Sequence, residues 1–510
     1  MSSKTERTLR GAAWRLFLTC WLLYALHFAT NTVREIYPAL SLGDHLSLDV
    51  SEYAGLHPDI FTVPGRGAYI NNNPGASLLG AIPYAVARPF IARAVETIQQ
   101  QRLLSGAPAP EYDNIYPMAR EFYREAYARG LDVKFALGAG VMQALLMAPL
   151  SALGAVTMFH ILYGLTRRQR TALLLALLYA FATPVFYRTA QLNQNVLIAN
   201  FALFAWALLW RPWDDPAAPR RPRYLLAGLL CGWTLVLDYS GAVAVAALSL
   251  YAWAKQRALP AALRHPADLV RYGTGLLASV SVLLICQWVA FGHPLLAAQH
   301  YMPPTQYSVI GYNGMAWPQP DLLWQTAFGL SFGLFTSAPL LLPALYVPGW
   351  RDTRMRLLPR RETLLALGFT LALFLFAAAN QFGRLQFNSG VRYVVPAVPF
   401  LFLLAAGPLL RLPRVIGWAV AALGTYWSWC LAMYRDVEQG LGVLESLIHI
   451  TTEGVRLPWL VTLERLGFIG DARLYSVLLL GLAAAGLALL WGIRLRPRPA
   501  LAQAQTGQSG

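Results

Sequence analysis

Residues 136–164 read ALGAGVMQALLMAPLSALGAVTMFHILYG, without an Asp, Glu, Lys or Arg anywhere in the run. A helix needs about 20 mostly apolar residues to cross a bilayer, and this stretch exceeds that. The segments that follow it are similarly apolar, 193–210 without a charged residue and 171–190 with Arg188 alone. Composition agrees: of 510 residues, 56% are hydrophobic and only 13% charged, and the mean hydropathy is +0.44. Soluble domains carry roughly 25% charged residues, so this chain cannot coat a water-facing surface of its size. The apolar content excludes disorder, and four cysteines are too few for a disulfide scaffold. Cys20, Cys231, Cys286 and Cys430 fall singly in apolar runs and read as small core residues.

Working outward, we read an all-α polytopic membrane protein with about 12 transmembrane helices (10–13): 12–29, 136–164, 171–190, 193–210, 224–238, 241–254, 272–291, 326–347, 363–380, 393–410, 415–434 and 475–493. The pair 224–238 and 241–254 is short and interrupted by Asp238-Tyr239-Ser240-Gly241, so it is either two spans or a re-entrant pair. Downstream topology is the same in both cases. The net charge of +16 tests the assignment. With a cytoplasmic N-terminus, the inside loops hold +18 and the outside loops −2, as the positive-inside rule requires. A basic protein of this charge would otherwise suggest nucleic acid; here the charge records topology, and no nucleic-acid partner is expected.

The chain then divides into a cytoplasmic N-terminus (1–11), a first, uncleaved span (12–29), a large outer loop (30–135), a core bundle (136–410), C-terminal spans (411–493) with an outer loop at 435–474, and a tail (494–510). The end of that tail has the small, polar composition of a disordered segment. No internal repeat of comparable halves is visible, and no C-x-x-C, H-E-x-x-H, P-loop or Rossmann fingerprint is present. Within the large loop, 76–94 is apolar with Pro83 and Pro89. We read it as an interfacial helix, because another span would invert every downstream loop. Residues 115–134 mix aromatics with both charge signs and read as a second outer-surface helix.

Three clusters carry chemistry. The first, TVREIYPALSLGDHLSLDVSEYAGLHPDIF (32–61), holds Glu35, Asp44, Asp49, Glu52, Asp59, His45 and His57 just beyond the first span. Carboxylates at a membrane surface suit general-base work; solvated loop charge is the plainer reading. The second, GRGAYINNNPGASLLG (65–80), puts Arg66, Tyr69 and three asparagines before an apolar helix. It is either an anion site at a helix start or a capped start, with Asn73 before Pro74. The third, NQFGRLQFNSGVRYVVPAVPF (380–400), sets Arg384 and Arg392 at membrane level, where they pair with phosphate or snorkel to headgroups. Lesser features are Arg188 with Gln191, Asn193 and Asn195, where the asparagines read as caps, and His300, which reads as packing. Asp238 reads as an acid at a helix break, outside catalysis.

Together, the acidic outer loop after the first span, N-N-P-G-x-S-L-L, the late G-x-R-Y-x-x-P-x-x-P-F and LLAGLLCGWTLVLDYSGAVA (225–244) resemble the GT-C glycosyltransferases. The resemblance is to the bacterial branch that includes protein O-mannosyltransferases and lipid A aminoarabinose transferases, and covers roughly 12–410. It implies a GT-C-like fold in a bacterial inner membrane, with both termini cytoplasmic and the active site on the outer side. It also implies a polyprenyl-phosphate sugar donor, contact with membrane lipids, and inverting transfer to an extracytoplasmic acceptor: lipid, glycan or protein. The family's first-loop acid falls nearest Glu35, its K-P-P turn matches Asn73-Pro74, and its phosphate arginine matches Arg392, followed by Tyr393. This chain has Arg34-Glu35 where the family commonly has Asp-Glu, so Asp44 and Asp59 are the alternative bases; the turn also lacks lysine. Arg384, Arg66 and Tyr69 would assist in binding the donor phosphate. Some relatives use a divalent metal, but no ligand spacing argues for one here. A twelve-span transporter or lipid flippase is the rival reading, and an inactive GT-C-like scaffold the next.

Overall fold

The computed structural model describes residues 3–106, 108–114, 116–214, 220–386, 391–434 and 441–492, with side chains from Thr8 onward. The expected tail at 494–510 lies outside the described residues, as do 387–390 of the third cluster and 435–440 of the last outer loop. Helices dominate, and the described strands form a single two-stranded hairpin. Six helices are long and apolar enough to cross a membrane: Gly75–Ser105, Asp132–Thr166, Ala267–Phe291, Arg360–Ala379, Arg414–Met433 and Ala472–Gly492. Shorter apolar helices cover Gln169–Phe181, Gln194–Trp210, Tyr224–Leu237 and Val395–Leu409.

Local chemistry sets the ends. Asn193 caps the Gln194–Trp210 helix, its side-chain oxygen accepting from the Val196 amide at 3.1 Å. The helices ending at Thr166 and Trp210 both stop on an arginine in the left-handed region, Arg167 (φ 55°) and Arg211 (φ 53°). Helices Tyr224–Leu237 and Gly241–Ala258 run antiparallel, since the Arg223 amide bonds the Leu208 carbonyl and Lys255 Nζ reaches the Trp210 carbonyl. The interrupted pair therefore runs the length of the bundle twice.

One expected span is not a helix. Residues 326–347 break into the end of Pro320–Phe328, a turn at Leu334–Ser337 and 3-10 turns over Pro339–Leu345. Pro339 and Pro343 remove amide donors, and Gly329 and Gly333 loosen the chain between them. The segment still joins the two ends of the bundle: Met315 bridges to Asn380 at one, and Met355 lies against Gly407 at the other. Leu340, Leu341 and Ala344 are buried, so this irregular backbone is enclosed by protein, the arrangement that tolerates it at membrane depth.

The two ends differ in character. One gathers Arg167, Arg168, Arg211, Arg221, Arg257, Arg271, Arg354, Arg361 and Arg411, tied by contacts such as Arg221–Asp268 and Arg411 to the Arg354 carbonyl. At the other end the connections fold over one another. The Gly75–Ser105 helix has both its ends there, Gly75 against Val236 and Arg102 paired with Asp132 at 2.7 Å. It runs unbroken through Pro83 and Pro89 and exposes Ile82, Val86 and Phe90 along one stripe. Helices Val443–Glu453 and Pro458–Arg465 complete this end, with Trp459 Nε1 donating to the Leu26 carbonyl at 3.1 Å.

Candidate functional site

Between these folded-over connections and the helix ends lies a cavity of about 1780 Å³. Ligand pockets usually hold 300–1,000 Å³, so this one has room for two reactants. Arg34 sits at its wall. Its Nε donates to Glu35 Oε1 at 3.3 Å, and one Nη donates to both Asp59 Oδ2 (3.1 Å) and Asn71 Oδ1 (3.0 Å). Burial opposes the charge on Arg34, yet Glu35, Asp59, Tyr393 and Asp238 outweigh it and hold the guanidinium above its ordinary range. Glu35 is only 4% exposed and starts the Ile36–His45 helix; Ser77 Oγ ties its carbonyl to the Gly75–Ser105 helix at 2.7 Å. Behind this group, the His57 ring accepts the Asp59 amide at Nδ1 (3.0 Å), leaving Nε2 as the protonated nitrogen of the neutral ring. Burial lowers the His57 pKa, against the pull of Asp59 and with the help of Arg34.

The helix break at Asp238 forms the adjoining wall. Asn73 Nδ2 donates to the Leu235 carbonyl at 2.8 Å, docking the Asn-Asn-Asn-Pro turn onto the end of Tyr224–Leu237. A Cβ on Gly75 would lie 2.6 Å from the Val236 carbonyl oxygen, and one on Gly241 only 2.0 Å from that of Thr234. Only glycine permits either approach. Asp238 Oδ1 accepts the Ser240 amide at 2.9 Å, and Gln287 Nε2 donates to the Tyr239 hydroxyl at 2.5 Å. Burial, helped by the Asp238 carboxylate, pushes that hydroxyl's pKa up to about 12. Asp238 makes no ion pair among the described residues.

Arg392 and Tyr393 form a third wall. Gln386 Oε1 accepts both of their amides (2.8 and 3.2 Å), while the Arg392 guanidinium donates to the Leu385 carbonyl (2.8 Å) and the Tyr393 hydroxyl (3.4 Å). Among the described residues Arg392 has no acidic partner. Carboxamides line much of the remainder: Asn31, Asn71, Asn72, Asn73, Gln191, Gln194, Gln299, Gln306, Asn313 and Asn380. Both polar atoms of the Asn72 side chain, and Gln299 Oε1, are shielded and lack partners among the described residues. Phe122, Phe135, Leu137, Phe376, Trp459 and Phe468 supply apolar wall.

Of the residues expected from sequence, Glu35, Asp59, Asn73, Arg392 and Tyr393 line this cavity, and four do not. Asp44 is committed elsewhere: it accepts from the Tyr84 hydroxyl and pairs with Arg88 and Lys134, each at 2.9 Å. Arg66 reaches the Val289 carbonyl, and Tyr69 packs against Phe291 with its hydroxyl on the Arg66 carbonyl. Arg384 pairs with Asp321 at 2.8 Å and bonds Gln319. The turn at 71–74 offers neither an open helix start nor a side-chain cap, because that start is buried against Val236.

Arg34, His57 and Asp238 line the cavity as well, although sequence gives Arg34 no role, His57 only membership of the first cluster and Asp238 a place outside catalysis. Within the expected loop 30–135, Ile60–Val63 and Gly67–Ile70 pair antiparallel around Pro64-Gly65-Arg66, a hairpin that the sequence reading does not name. The alternating apolar residues flanking Pro-Gly were the available signal. A divalent metal does not fit these residues: Arg34 occupies Glu35 and Asp59, and no group of three metal-ligating side chains is gathered among the described residues. No protein-family model, curated protein or solved structure matches the chain.

Proposed function

We propose that this protein is a GT-C-like membrane glycosyltransferase that moves a sugar from a polyprenyl-phosphate donor to an extracytoplasmic acceptor, with inversion. The observation that carries this reading is Arg392, a guanidinium without an acidic partner among the described residues, facing a cavity rich in carboxamides. An arginine in that state suits a phosphate. Carboxamides donate and accept at once, as sugar hydroxyls require, and Asn72 and Gln299 have such capacity unused. The apolar wall suits a lipid tail, and the volume suits donor plus acceptor. The motif resemblance points the same way, and the arginine-rich opposite end supports an outward-facing site by the positive-inside rule.

In this mechanism a cavity carboxylate takes the proton of the acceptor hydroxyl as its oxygen attacks the anomeric carbon. The bond from that carbon to the phosphate oxygen breaks, and its electron pair leaves with polyprenyl phosphate. Arg392, with the Tyr393 hydroxyl beside it, meets the charge that develops. The test is release of polyprenyl phosphate from radiolabelled undecaprenyl-phosphate hexoses and pentoses, with total envelope extract as acceptor pool. Arg392→Ala should lower turnover by about 10²–10³, as loss of an oxyanion donor does. Wild-type and variant turning over equally would remove Arg392 from the site.

One observation favours a transporter instead. Gln143, Thr189, Ser151 and Asn200 form a hydrogen-bonded chain inside the bundle, and polar groups at that depth often mark a solute path. Solute flux through the protein in liposomes, together with no donor turnover, would establish that reading.

A further inference from the structure

Four acids line the cavity, and three of them are neutralised: Glu35 and Asp59 by Arg34, and Asp132 by Arg102 at 2.7 Å. The fourth, Asp238, lacks an ion pair among the described residues. A carboxylate already bonded to a guanidinium has acceptor sites taken up by N–H donors and offers fewer to a substrate hydroxyl. Asp238 carries no such bond among the described residues, although Arg34 lies near enough to interact with it, and its position is fixed rather than incidental. The Asn73 amide holds the helix end three residues before it, and Gly241 closes the break behind it. One oxygen, Oδ1, is occupied by the Ser240 amide, while Oδ2 has no hydrogen-bond donor among the described residues.

We propose that Asp238, not a first-loop carboxylate, is the catalytic base. The assignment rests on the glycosyl-transfer reading above. The acceptor O–H proton passes to Asp238 Oδ2 while the acceptor oxygen bonds to the anomeric carbon. The carbon–phosphate-oxygen bond breaks with its electron pair going to the phosphate, next to Arg392. Asp238 then returns its proton to water. Arg34, set between the first-loop acids and near enough to feel Asp238, engages Glu35 and Asp59 through hydrogen bonds and leaves Asp238 unbonded.

Asn is the informative replacement, because its side-chain oxygen still accepts from Ser240 and preserves the break. The full-length protein in nanodiscs is assayed for polyprenyl phosphate release from labelled undecaprenyl-phosphate hexose and pentose, and for binding of undecaprenyl phosphate alone. Asp238→Asn should lose kcat by about 10²-fold or more, the share general bases supply, with KM and undecaprenyl phosphate binding unchanged. Formate should restore part of the turnover of Asp238→Ala. Wild-type kcat in Asp238→Asn overturns the assignment while leaving glycosyl transfer intact. So does a joint loss of kcat and lipid binding without rescue by formate, which marks a structural role. Wild-type protein that turns over none of the donors overturns the transfer reading and this assignment together.

Discussion

The first-loop acids and the Asp238 break face the same cavity, yet they are built on opposite principles. Glu35 and Asp59 lie in a loop rich in charge and share one cation, with Arg34 bonded to both. Asp238 comes from an apolar helix pair with no cation bonded to it among the described residues, held in place by backbone packing at Gly75 and Gly241. Density of acidic residues is thus a poor guide to available charge: the crowded region is bonded to its cation, and the sparse one only lies near it. Within the loop the same rule repeats. Glu35 and Asp44 sit at opposite ends of the Ile36–His45 helix, about 13 Å apart by helical rise. One meets the cavity and the other meets Arg88 and Lys134.

Removing the shared cation should break this contrast most severely. Arg34→Gln leaves two carboxylates facing each other without compensation, one of them on a residue only 4% exposed. Deleting one partner of a buried pair costs about 3 kcal/mol or more, read as a fall in the thermal midpoint in detergent. The double variant Arg34→Gln/Glu35→Gln should recover part of that loss, since the stranded charge goes with its partner. A single variant as stable as wild type would mean that Arg34 does not hold the loop.

The outer cluster should respond more weakly. Asp44→Asn removes two ion pairs, but Arg88 is half exposed and Lys134 retains Glu52 at 3.2 Å. The Arg88 pair, half exposed, contributes about 1 kcal/mol or less. The Lys134 pair is largely buried, but Lys134 keeps Glu52 and Tyr53, and an asparagine at 44 keeps an oxygen to accept from Tyr84. A loss of stability smaller than at Arg34 is therefore expected, with donor turnover unchanged. A large loss of turnover in Asp44→Asn would return that acid to the candidate bases and erase the distinction between the helix's two ends.

Much of the architecture was legible because bilayer solvation writes itself into runs of apolar residues and into the placement of arginine. The clustering of Arg167, Arg211, Arg257, Arg354 and Arg411 at one end is such a pattern. What escaped were contacts made by residues far apart in sequence. Asn73 reaches Leu235 across 162 positions, and nothing local to either announces it. The segment 326–347 has the hydropathy of a span, yet its helix is interrupted where Gly329, Gly333, Pro339 and Pro343 follow one another. Asp238 was passed over because an acid at a helix break has a sufficient local explanation in the Ser240 amide. Its lack of a cation becomes visible only when the pairings of Glu35, Asp59 and Asp132 are known.

His57 offers the finest test of how tightly the compensated wall is built. Burial lowers its pKa in the fold, so the folded protein binds its proton less readily than the unfolded chain, whose value is about 6.5. The sign follows by linkage. The contribution of neutral His57 is fully present above pH 6.5 and is lost as the pH falls below it, where the unfolded state takes up the proton first. Replacing the ring by Gln removes this one titration, so His57→Gln should lose stability less steeply than wild type on acidification. Thermal midpoints across the mildly acidic range would measure it, and the difference should be the smallest of the three. Parallel curves would show that His57 titrates as it would in water, and that the Arg34 group is more open to solvent than its hydrogen bonds to Glu35, Asp59 and Asn71 imply.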